Sequence, residues 1–274
     1  MRKTLARALA CLGGLAVGVG VLGASPVYAS GGSTSCAGGS IAGGNYRMVY
    51  VTGICFAGSG SITAQSLVIA PGAWLIAAFG NAEGTADNVT ANSISVGAGS
   101  VLILGCEPSA FTCINDPGNS YSSSGTVYGG ITALNASAVI VHNSYVQGNV
   151  SIQGGGGGTA CNFGTGPLMG SPFYDDVEDS TIGGSVSIQG VHTCWLGLFR
   201  NTIYRNVAFN NNTDPYATAF FYPYLPDGNE LATNLIGGSL NCIGNVPPPQ
   251  FGDSGGSPNA VYGSVSGQCV NVVY

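Results

Sequence analysis

The chain has 274 residues, a formal net charge of −6 and 7% charged residues, against about 25% in ordinary globular proteins. Of its six basic residues, Arg2, Lys3 and Arg7 lie in the first seven positions, so there is no footprint for a nucleic acid or an anionic membrane surface. Lys3 is the only lysine, which excludes lysine-dependent chemistry from the rest of the chain, and glycine is abundant at 46 residues.

In chain order, the first feature is an export signal. Met1–Arg7 is a short positive segment, Ala8–Ala24 is apolar, and Pro26 breaks any helix there. Val27-Tyr28-Ala29 then places small or tolerated residues before a cut at Ala29/Ser30. Residues 1–29 therefore read as a secretory signal peptide and 30–274 as one domain. The glycine-rich apolar run is short for a membrane span. Cleavage leaves Arg47, Arg200 and Arg205 against twelve carboxylates, and a secreted, acidic product with no membrane span is expected.

Eight cysteines follow the signal: Cys36, Cys55, Cys106, Cys113, Cys161, Cys194, Cys242 and Cys269. An even number outside the cytoplasm reads as disulfides, and their spacing fits no zinc site. Eight cysteines allow 105 pairings. A fold of local coils favours chain neighbours: 36–55, 106–113, 161–194 and 242–269.

A degenerate repeat organises the rest. Ile62-Thr63-Ala64-Gln65-Ser66-Leu67-Val68-Ile69 matches Val89-Thr90-Ala91-Asn92-Ser93-Ile94-Ser95-Val96, and Ile131 begins the same pattern. Val146-Gln147-Gly148-Asn149-Val150-Ser151-Ile152 matches Ile182-Gly183-Gly184-Ser185-Val186-Ser187-Ile188. Looser copies start at Ile203, Ile236 and Val261. Short alternating apolar runs bounded by Gly, Asn and Ser are strands, and no helical periodicity is present. One such unit cannot bury its apolar side alone, whereas stacked units can. The expected fold is all-β: a single-domain parallel β-helix, disulfide-stapled, with loops inserted where the spacing lengthens. Gly154–Gly158 reads as one flexible insertion, because no Gly-Lys-Ser/Thr follows to make it a phosphate loop.

Asp175, Asp176, Glu178 and Asp179 form the one acidic cluster, with Arg200 and Arg205 about one coil later. Hard oxygen ligands suit Ca²⁺. Carboxylate-held calcium beside an arginine is also the pattern of pectate-lyase-like enzymes. A solvated acidic loop is the plainer reading. Asn212-Thr213-Asp214 and Asp175-Asp176 resemble fragments of polygalacturonase motifs, in reversed order and without the later ones. Trp195 and the rings of Tyr216, Phe220, Phe221, Tyr222 and Tyr224 offer a stacking surface for sugars or a partner. Gly252-Asp253-Ser254-Gly255-Gly256 mimics a serine-protease string, but neither His142 nor His192 has the matching context.

From Asn234 to Cys269, the run Ile236-Gly237-Gly238-Ser239-Leu240-Asn241-Cys242, a proline cluster, Gly255-Gly256-Ser257-Pro258-Asn259 and Gly267-Gln268-Cys269 resembles the C-terminal part of small secreted actinobacterial right-handed parallel β-helix repeat proteins. The resemblance implies that fold and an exported location, and it carries no activity. With no complete catalytic set, the expected function is a secreted, non-catalytic structural or binding protein. Its expected partner is an extracellular glycan or surface protein, and Ca²⁺ is the only cofactor suggested. The alternative is a polysaccharide lyase or glycoside hydrolase of β-helix type.

Overall fold

The computed structural model describes residues 31–58, 60–77, 88–106, 123–162, 164–166, 172–214, 228–252 and 255–274. The signal segment, Cys113 and the aromatic run from Tyr216 to Tyr224 lie outside them. All named strands pair in parallel, in one sheet of sixteen strands and one of eight. Together they make a parallel β-helix.

The larger sheet forks into two faces. Ile62–Ile69 and Asn88–Val96 are long strands that run across both. The first half of Asn88–Val96 pairs with Ser124–Val127, and its second half pairs with Ile131–Leu134. From there each coil has three separate strands, one per face. The third face is the smaller sheet, and its later strands are Ala138–His142, Asp175–Glu178, Leu196–Phe199 and Glu230–Ala232.

Register stacks like on like. Val49, Leu67, Ile94, Ile131, Val150, Val186, Val207 and Leu240 form one inward row, and all are buried. The coil length is 18 residues from Val49 to Leu67, 19 from Ile131 to Val150 and 21 from Val186 to Val207. It lengthens to 37 from Ile94 to Ile131 and 36 from Val150 to Val186, where loops are inserted. Disulfides join Cys36–Cys55, Cys161–Cys194 and Cys242–Cys269. Cys106 is disulfide-bonded as well.

Corners break the strand ladder and expose backbone groups that burial would orphan. Side-chain ladders take them up. After the third face, the Gly125 amide donates to Ser144 Oγ, Ser144 to Ser180 Oγ, Ser180 to Asn201 Oδ1, Asn201 to Asn234 Oδ1 and Asn234 to Asn259 Oδ1, all at 3.0–3.1 Å. A second ladder runs Val191, Asn212, Asn245, Gln268. A third, exposed ladder links Asn149, Ser185, Asn206, Ser239 and Ser264. Asn212 is therefore a structural ladder residue.

The glycine run has a regular left-handed backbone tied to neighbouring segments by hydrogen bonds. Gly154–Gly158 hold φ from 64° to 94° in succession. The Gly156 amide donates to Ala136 O at 2.7 Å and the Gly158 amide to His192 O at 2.9 Å. A Cβ on Gly157 would stand 2.2 Å from the Phe173 Cβ.

Packing sets the expected cost of substitutions here. Asn234→Ala strands the buried Asn201 amide and Leu198 carbonyl, and should cost on the order of 2–4 kcal/mol in denaturant unfolding. Asn149→Ala, in the exposed ladder, should cost under about 1 kcal/mol because water replaces it. Gly157→Ala combines a φ of 72° with a clash, so its melting temperature should fall further than that of Gly158→Ala, which meets nothing within 4 Å.

Candidate functional site

The third face is buried on both sides. Inward, Val141, Val177, Leu198 and Leu231 join the main core. Outward, Ile76, Val101, Ile103, Ala138 and Ile140 form a second apolar cluster against Trp74, Phe173 and Tyr174. A strand covered on both sides is normally apolar throughout. Asp175–Glu178 breaks that rule, and it does so beside His142.

Register decides what meets. His142 lies opposite Glu178, which lies opposite Phe199; Ile140 lies opposite Asp176, which lies opposite Gly197. His142 Nε2 is 2.8 Å from Asp176 Oδ2 and 3.2 Å from Glu178 Oε1. The other oxygen of Glu178 accepts from Arg200 Nη2. Arg200 also grips Asp179, Nε to Oδ1 at 2.7 Å and Nη2 to Oδ2 at 2.8 Å, and its guanidinium lies 5.2 Å from the centre of the Phe199 ring. The His142, Asp176 and Glu178 side chains are 3–5% exposed, whereas Arg200 is 38% exposed.

The corner geometry aims these groups. Asn143, Asp179, Arg200 and Thr233 occupy one corner row in successive coils, with φ of 47°, 50°, 56° and 58°. Left-handed backbone is costly for arginine and threonine, and such strain concentrates at functional sites. Here it places Asp179 directly beneath Arg200. Ser144 and Ser180 hydroxyls donate to the His142 and Glu178 carbonyls, so the corner ladder fixes the ends of both strands.

Electrostatics follow from burial. Burial lowers the His142 pKa and raises that of Asp176 well above the usual carboxylate range. Burial also raises Glu178 to about 8. At neutral pH the centre thus holds a neutral imidazole and protonated carboxyl character. The Arg200 pKa is pushed still higher by its hydrogen bonds to Asp179, which removes Arg200 as a general base.

The structure divides the acidic cluster. Asp175 points inward, in the row between Val139 and Leu196, and accepts the Val139 amide at 2.8 Å. Asp176 and Glu178 point outward, and Asp179 is engaged by Arg200. The four carboxylates do not converge on one ion. The third group that joins Asp176 and Glu178 is His142, which the sequence reading missed. Only the pairing of Val141 with Val177 reveals it. Arg205 is exposed at another corner, after Thr202–Ile203, away from the cluster. Trp195 is half-buried against Tyr174 (5.7 Å) and Phe199 (5.4 Å). Asp253 and Ser254 lie outside the described residues.

The other two faces are open. Tyr50, Val68, Ser95, Thr132, Ser151, Ser187, Ala208, Asn241 and Ser266 stand in one outward row. Thr63, Thr90, Thr126, Tyr145, Thr181, Thr202 and Leu235 stand in a parallel one. Neither row, along its whole length, carries a charge. Comparison with family models, curated proteins and solved structures finds no match.

A pH prediction follows for Asp175, whose pKa burial raises from 3.8 to about 7. The folded state then keeps a proton that the unfolded chain has lost. The stability associated with that proton is full below pH 3.8 and is lost as pH rises through about 7. Asp175→Asn keeps an acceptor for Val139 and cannot ionise. Its stability relative to the parent should rise between pH 4 and pH 8, by up to about 4 kcal/mol, read from urea midpoints at the two pH values.

Proposed function

We propose that the chain is an exported, non-catalytic binding protein whose two open faces adsorb to a neutral extracellular glycan. One observation carries the reading. Among the described residues every side-chain carboxylate except that of Asp179 is buried, so the described part of an acidic chain presents uncharged rows in which hydroxyls and amides predominate. Such rows, repeated every ~4.8 Å along the solenoid, complement a polymer that offers hydroxyls at regular intervals and has no charge to pair.

Aromatic rings add to the fit. Tyr204 and Tyr262 share one corner row, with Gly237 between them, and are 60% and 78% exposed. Two coils apart, they stand roughly 10 Å from each other, free to stack on sugar faces. Disulfides persist in oxidising surroundings, which supports an exported location. Among the described residues no helix is long and apolar enough to cross a membrane. The polysaccharide-cleaving alternative is weaker, because Arg200 is committed to Asp179 and Glu178 and the carboxylates beside it are buried.

The test is retention on insoluble cellulose, chitin and cell-wall material against soluble polygalacturonate, with analysis of released sugars. Retention on a neutral glycan that persists in high salt, with no product released, is expected. Replacing the exposed Thr132 by Arg should weaken it several-fold without lowering the melting temperature appreciably, since exposed substitutions cost little stability. Retention on none of the glycans, or release of reducing ends, overturns the reading.

A further inference from the structure

We propose that His142 Nε2, Asp176 and Glu178 ligate a first-row divalent metal ion, of the Zn²⁺ class, on the outer side of the third face. The three donor atoms come from two adjacent strands and lie within 4.8 Å of one another. Hydrogen bonding alone serves them poorly. A neutral imidazole nitrogen carries either one hydrogen or one lone pair, yet Nε2 faces an oxygen from each of two carboxyl groups. A cation at their common focus would satisfy all three at once.

The spacing selects the ion. Donors 2.8 Å and 3.2 Å apart subtend roughly 85° and 100° at an ion held about 2.0–2.1 Å away, as zinc is. Calcium is held at longer distance by about six to eight oxygens, and the centre offers two carboxylates and a nitrogen. Charge balances as well. On releasing any bound protons to water as the ion enters, the two carboxylates offset a divalent ion, while Arg200 and Asp179 neutralise each other alongside.

One further feature points to a ligand. Asp176 Oδ1 is buried and has no hydrogen-bond partner. Directly across the strand pair stands Gly197, in a strand interior where glycine marks close approach of another group. A Cβ there would come within 2.8 Å of Asp176 Oδ1 and 2.7 Å of the Phe199 ring. Glycine is thus what allows the one unsatisfied oxygen of the set and the Phe199 ring to pack against this strand. Outside the donors, Arg200 holds the second oxygen of Glu178, the kind of outer hydrogen bond that orients ligating carboxylates. The ion would clamp the coil carrying His142 to the coil carrying Asp176 and Glu178.

The test uses the full chain with its disulfides intact. Zn²⁺ or Co²⁺ is added to the native protein, and also during refolding from guanidinium, and bound metal is counted by mass spectrometry after gel filtration. One ion per chain is expected, with a raised melting temperature and visible Co²⁺ bands of a four- or five-coordinate nitrogen–oxygen site. Asp176→Asn and His142→Ala should each weaken binding at least about 100-fold, and Arg200→Met about 10–100-fold. Asp175→Asn, whose side chain faces the interior, should bind as the parent does. Substoichiometric metal by both routes overturns the proposal. So does parental affinity in Asp176→Asn, or calcium bound as tightly as zinc. None of these outcomes depends on glycan binding.

Discussion

The corner amides govern this structure. A β-helix satisfies its backbone within the strands, but each turn between faces leaves an N–H that the next strand cannot reach. The solution used here is a side-chain oxygen from the adjacent coil, repeated until it forms a ladder. Asn201, Asn234 and Asn259 each do this twice over. The oxygen takes the neighbouring amide, and the side-chain nitrogen caps a strand carbonyl of Val177, Leu198 or Leu231 at 2.7 Å. Buried polar ladders of this kind stabilise only when complete. That requirement explains a composition rich in Asn, Ser and Gly and poor in charge. A lysine or glutamate in a ladder row would bring a charge where only a neutral amide or hydroxyl fits.

The same constraint explains where length varies. Between the first and second faces, each turn has three residues: Tyr128–Gly130, Gln147–Asn149, Gly183–Ser185, Tyr204–Asn206, Gly237–Ser239 and Tyr262–Ser264. The ladder of Asn149, Ser185, Asn206 and Ser239 runs through those turns, and an insertion would break it. All the extra length instead falls at the ends of third-face strands, as in 154–174 and 211–229. Two faces stay flat because their shared corner is fixed. The third face is the one that carries the loops, and it is also the one buried on both sides.

The fold was legible because it is repetitive. Val150-Ser151-Ile152-Gln153 and Val186-Ser187-Ile188-Gln189 are nearly identical, and the structure pairs them residue for residue. The buried centre was not legible, for a physical reason. Asp175-Asp176-Val177-Glu178 has the composition of a solvated loop, and its strand siblings Ala138–His142 and Leu196–Phe199 do not resemble it. Sequence shows that the acids are clustered. It does not show that the pleat sends Asp175 one way and Asp176 the other, nor that His142 lies opposite Glu178. Gly154–Gly158 read from sequence as a flexible insertion, and what sequence does not show is that all five adopt positive φ in succession.

Burial on both sides also explains why a polar centre belongs on the third face rather than on the open ones. On an exposed row, water would screen His142, Asp176 and Glu178, and their charges would cost little and hold little. Between two apolar layers the same groups strongly favour either a proton or a cation. The corner row decides which groups reach the surface. Left-handed backbone at Asp179 and Arg200 turns both side chains towards the strand ends, where Arg200 is still partly solvated and meets Glu178 from outside. An arginine at a position where glycine would be easier is hard to explain by folding alone, since a glycine there would relieve the strain and leave the ladder intact. What glycine would remove is the grip on Glu178 and Asp179, so the strained arginine is explained by the centre it holds in place.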